Sequence, residues 1–204
     1  TAGMNNYRYQ CIVSGCPPSV TSSAAILTVA SAPVLNSSPV NAAVCEGANA
    51  SFTVSASGSS LSYQWQVSTN GGVNYSNIPG ATNATLNLTG VTVIMNNNMY
   101  RCVLSSPGCG TPVNSAGAIL TVDAVTAITA QPAGATVCAG VSTNICVTVS
   151  GSNLSYQWQS STTCGGPWTN ITGATSSCLT VANPMATMSY RCVVNGTGGS
   201  AVTS

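Results

Sequence analysis

Two short phrases recur in this chain at a fixed distance, and that recurrence limits what the chain can fold into. Tyr63-Gln64-Trp65-Gln66, followed by Tyr100-Arg101-Cys102, returns as Tyr156-Gln157-Trp158-Gln159, followed by Tyr190-Arg191-Cys192. A partial copy, Tyr7-Arg8-Tyr9-Gln10-Cys11, stands near the start. The copies lie about 90 residues apart, the size of one small domain and too long for a solenoid turn. The expected organisation is a fragment of a domain at 1–32, a full domain at 33–123, and a domain at 124–204 that lacks most of its last strand. It reads as a window cut from a longer tandem array.

Within each copy the apolar residues alternate. Phe52 and Val54 share one face, as do Leu61, Tyr63, Trp65 and Val67, with Gln64 and Gln66 on the other. Asn70-Gly71-Gly72 is a hairpin signal, and Leu86 and Leu88 point inward from a later strand. Met99 to Leu104 carries Cys102, and Ala118 to Val122 closes the copy. The third copy repeats the order with Ile145, Val147, Trp158, Leu179, Val181 and Cys192. In the fragment, Tyr9 to Val13 reads as one strand and Ala24 to Val29 as the closing one. No stretch sustains a helical period. Short strands with frequent turns predict an all-β fold of tandem antiparallel sandwiches. Trp65, Trp158, Tyr100 and Tyr190 are the expected core anchors.

Charge excludes several functions. Charged residues make up 2% of the chain, with no His and a net charge of +1, against about 25% in ordinary domains. Such a chain has no basic surface for nucleic acid and no polybasic segment for anionic lipid. Its apolar runs are too short for membrane insertion. Catalysis by a triad or a carboxylate pair has no residues to draw on, so no catalytic site, metal site or cofactor is expected. The ten Cys point to an oxidising compartment and disulfides, since no C-x-x-C pair supports zinc. The asparagine sequons are too common in this composition to carry information on glycosylation.

The buried strand Trp, the later Tyr-x-Cys and the final Leu-x-Val strand resemble the immunoglobulin-like fold. More narrowly, the run from Val44-Cys45-Glu46-Gly47 through Tyr63-Gln64-Trp65-Gln66 and Tyr100-Arg101-Cys102 to Ala118-Ile119-Leu120-Thr121-Val122 resembles the Ig-like repeats of very large secreted surface proteins of Bacteroidota-type bacteria. These include adhesins and other proteins exported by the type IX system. The resemblance implies Trp65 as the core Trp, Tyr100 as a tyrosine corner and Cys102 as the late-strand Cys. The usual early Cys is absent, since Val54 holds its place and Cys45 sits earlier. Against that fold, the expected bonds are Cys45–Cys102 and Cys138–Cys192. The family's Gly-x-Cys-Gly turn, here at Cys109, leaves a bond between neighbouring domains as an alternative. Cys146 and Cys178 replace Thr53 and Thr85 on adjacent strands, so a cross-strand bond is possible there. Cys11, Cys16, Cys109 and Cys164 have no evident partner. Glu46 and Arg101, each beside a Cys, would come within reach if Cys45 and Cys102 were bonded.

The resemblance implies a non-catalytic structural or adhesive repeat region at the extracellular surface of a bacterial cell. Its partners would be neighbouring repeats of the same or an identical chain, with surface glycans as a further candidate. Tyr75 and Trp168, at matching positions after the hairpin, are the residues that could stack on a sugar in a carbohydrate-binding module. A second alternative is a pilus-like subunit polymerised by strand donation.

Overall fold

The computed structural model describes residues 2–204, and the first residue of the 1–32 segment lies outside them. Among the described residues the chain is all-β, apart from two three-residue 3-10 turns at Ala2–Met4 and Val93–Met95. Its contacts group it into two compact units. One comprises the residues through Asn41, Ser51–Leu86 and Asn98–Ile119; the other comprises Ala42–Ala50, Asn87–Asn97 and Leu120–Ser204.

In the first unit, Tyr7–Tyr9 pairs antiparallel with Ala25–Leu27, and Ile12–Val13 with Val20–Thr21. The expected strand from Tyr9 to Val13 is therefore interrupted, at Gln10 and Cys11. Every described residue of these strands is exposed. The Trp65 strand, Ser62–Ser68, pairs along its whole length with Met99–Ser105. Its edge is extended by Ser76–Asn77, reached through a hairpin in which Gly71 and Gly72 take positive φ of 69° and 87°. Such φ values favour glycine because a Cβ would collide with the backbone. Val34–Ser37 pairs with Ser55–Ser57. Phe52 and Tyr100 stack at 4.9 Å between ring centroids, and both are buried.

In the second unit, Leu120–Asp123 pairs with Ala42–Cys45, and this pairing is parallel. The sandwich is thus not purely antiparallel. The sequence of the Val44-Cys45 strand reads equally well in either direction, because period-2 alternation carries no polarity. The third repeat forms one sheet from Thr169–Asn170, Ser155–Ser161, Ser189–Asn195 and Val202–Thr203. Thr143–Cys146 pairs with Cys178–Val181, and Ala127–Ala130 with Thr148–Ser150. Its core is Val147, Trp158, Leu179, Cys192 and Val194, with Tyr190 half-buried against it.

Candidate functional site

The two repeats build the same polar constellation on the Trp-bearing sheet. In the second repeat the register sets Asn77, Gln66 and Arg101 side by side across three strands. The Gln66 amide donates to Asn77 Oδ1 at 2.8 Å, and Arg101 Nε donates to Gln66 Oε1 at 2.8 Å. The guanidinium of Arg101 lies over the Tyr75 ring, 3.9 Å from its centroid. In the third repeat Gln159 donates to Asn170 at 2.7 Å, Arg191 donates to Gln159 at 2.7 Å, and the Arg191 guanidinium covers Trp168 at 4.5 Å. A cation–π contact of this kind contributes about 0.5–2 kcal/mol. Arg101, which would have come within reach of Glu46 had Cys45 and Cys102 been bonded, takes Gln66 and Tyr75 as its partners, Gln66 because strand register sets it beside the arginine.

Tyr75 and Trp168 therefore each present one ring face to an arginine.

Two residues earlier on each Trp-bearing strand, Gln64 donates to the carbonyls of Trp65 and Ile78, and Gln157 to those of Trp158 and Ile171. The indole N–H of Trp65 donates to Asn83 O, and that of Trp158 to Ser176 O, each at 2.9 Å. Both tryptophans are wholly buried. A buried indole without an acceptor would carry a desolvation cost, and here the loop leading into the facing strand supplies one. Nothing in the residue alphabet of the Trp phrase signals these carbonyl partners.

The cysteines differ in their surroundings. Cys146 and Cys178 face each other in register and are bonded, with S–S 2.06 Å. At the matching place in the second repeat, Thr53 and Thr85 share a hydrogen bond of 3.0 Å between their hydroxyls.

Cys45, Cys102, Cys138 and Cys192 are free thiols, which corrects the expected pairs Cys45–Cys102 and Cys138–Cys192. The reason is their position on the strands. Cys102 pairs in register with Trp65, and Cys192 with Trp158, so both point into the apolar interior and are 0% exposed. Cys45 instead pairs with Asp123, at the far end of the strand whose first residue, Ala118, pairs with Tyr100. Cys138 is exposed. Burial pushes the Cys102 and Cys192 thiols above their ordinary pKa, against a smaller opposing effect of backbone hydrogen bonding.

Two of the free thiols lie against a neighbouring repeat. The Cys45 thiol donates to Thr197 O at 3.6 Å, and the Cys109 thiol to Ala30 O at 3.3 Å. Cys11, Cys16 and Cys164 are exposed. Among the described residues, no three His, Cys, Asp or Glu cluster as metal ligands would, and no helix is long and apolar enough to cross a membrane.

Paired sheets around a buried Trp, repeated in tandem, define an immunoglobulin-like protein. The chain is similar to the titin I-band fragment I67–I69, with 14% identity over 96% of this chain and 71% of that one, at a TM-score of 0.67. It is also similar to Sidekick-1 immunoglobulin domains 1–4, with 20% identity over 100% of this chain and 57% of that one, at a TM-score of 0.60. At these identities the likeness establishes the fold alone. The model of one family, described as a domain of unknown function (DUF8696), matches residues 35–124 and 126–204, and the chain belongs to that family. No curated protein matches it.

Proposed function

We propose that the chain is a non-catalytic structural and adhesive repeat region of an extracellular bacterial surface protein or filament. Its repeats serve as spacers and as contact faces for neighbouring repeats of the same or an identical chain. The observation that carries this reading is the Cys146–Cys178 bond on the exposed face of two paired strands. Disulfides persist outside the cell and in other oxidising compartments, and are rare where thiols are kept reduced.

Composition supports the same reading. A surface built from Ser, Thr, Asn and Gln, with a net charge of +1, is insensitive to salt and pH and offers little repulsion between copies. The resemblance of the repeats to those of large secreted surface proteins favours the outer face of a bacterial cell.

Antibodies to residues 33–123 should label intact, unpermeabilised cells that make the protein. Labelling that appears only after permeabilisation would overturn the reading. Saturable binding on a glycan array, lost in Tyr75→Ala and Trp168→Ala, would replace it with a carbohydrate-binding one.

A further inference from the structure

Charge is scarce in this chain: three arginines, Arg8, Arg101 and Arg191, against Glu46 and Asp123. Two of the arginines are built into the same frame. Arg101 and Arg191 each commit Nε to a glutamine of the Trp-bearing strand, and each rests its guanidinium plane on an aromatic ring. Asn77 and Asn170 hold those glutamines in turn. In the second repeat the ring is fixed as well. A Cβ on Gly117 would meet Tyr75 Oη at 2.5 Å, and one on Gly72 would meet it at 3.2 Å, so the tyrosine fills the room these glycines leave.

The terminal Nη nitrogens of both arginines have no acceptor among the described residues. An arginine already held by Nε and by one face has little freedom left to lose. A carboxylate that meets its Nη edge therefore gains a charge-assisted contact at low entropic cost.

The two acids of the chain adjoin each other. Asp123 pairs with Cys45 at the end of two parallel strands, and the next residue, Glu46, donates its N–H to Asp123 O at 2.9 Å. Both residues are half-buried. Among the described residues neither has an arginine as its partner: Arg101 and Arg191 bond to glutamines, and Arg8 stands opposite Ile26. Like charges on adjoining residues repel, and a cation brought to them relieves the repulsion.

We propose that the Arg101 guanidinium, and its duplicate at Arg191, receive the carboxylates of Glu46 and Asp123 from a second copy of this chain. Complementary charge selects that occupant, since one chain carries both cations framed for an acid and acids that lack a cation. Donor and receptor are different surfaces, so the contact is heterologous and extends from copy to copy unless a ring closes. Pairs this close to water hold weakly one at a time, and repeats presented together in number hold better. Folding stability stays indifferent to salt, because each of these residues keeps part of its surface in water in the single chain; salt screens the contact between copies. This contact deepens the reading of the repeats as contact faces and rests on it. It fails separately, since a chain that stays monomeric can still be a spacer at the cell surface.

The test is sedimentation of the 204-residue chain, its accessible thiols alkylated, over a range of concentrations. The parent should associate at about 0.02 M salt and dissociate at about 0.5 M. Glu46→Gln with Asp123→Asn should weaken association roughly tenfold or more, and so should Arg101→Gln with Arg191→Gln. Mixed together, these two variants should associate with each other, because one keeps the receptors and the other the acids, and their complexes should not grow further. Arg8→Gln removes a charge outside the frame and should leave association unchanged. A single cooperative urea transition in each variant would show that it folds. A parent that is monomeric at low salt would overturn the proposal, as would variants that ignore each other when mixed, or an Arg8→Gln chain weakened as much as the double arginine variant. Binding of polyglutamate or polygalacturonate through Arg101 by a parent that stays monomeric would assign the site to another acid and overturn this one.

Discussion

Gln64 and Gln157 are each half-buried, and each satisfies two backbone carbonyls beside the core Trp. Removing the amide leaves those carbonyls short of a donor. Gln157→Met should therefore cost about 1–3 kcal/mol, read as a lowered urea midpoint. A change within error would show that water replaces the amide. The buried thiols give a second prediction. Folding raises the pKa of Cys102 and Cys192 through desolvation, and that of Tyr100 in the same direction, against an opposing hydrogen bond to Asn98. A raised pKa means the folded state holds the proton more tightly. The associated stability is complete below the ordinary thiol value of about 8.5 and is lost as pH rises past it. Urea midpoints should be flat through neutral pH and decline in alkali, and a midpoint that climbs above about pH 9 would refute this. Iodoacetamide on the native chain should modify exposed Cys11, Cys16, Cys138 and Cys164 well before Cys102 and Cys192.

The paired strands Thr143–Cys146 and Cys178–Val181 carry a disulfide where the second repeat has two threonines in hydrogen-bonding contact. The bond encloses a sequence separation of 32, which in the chain-entropy model corresponds to about 3–4 kcal/mol. Cys146→Ser with Cys178→Ser should lower the stability of the third repeat by that order, and a reductant should do the same to the parent. The reverse exchange, Thr53→Cys with Thr85→Cys, should staple the second repeat and raise its midpoint only under non-reducing conditions. Equal midpoints with and without reductant would mean that the bond does not form. This cross-strand position was legible in the sequence because outward alternation and the repeat together place both residues. The parallel pairing of Ala42–Cys45 was not legible, because alternation looks the same in both directions.

At the scale of the molecule, the low charge predicts that the stability of the purified chain will hardly vary between low and high salt, since there are few exposed charges to screen. Thermal scans across ionic strength would check this, and a large shift would point to ion pairing that the composition does not supply. The sequence by itself determined the repeat, the all-β class and the Trp-centred core, because these follow from periodicity and burial, which are local properties of the order of residues. The destination of each thiol and the partner of each arginine were decided only by the tertiary structure. Cys102 lies inward beside Trp65 and Cys45 lies opposite Asp123. Arg101 lies beside Gln66 instead of Glu46. Those relations depend on strand register, which is set by the packing of whole sheets and slips every side chain to the other face when it changes by one residue.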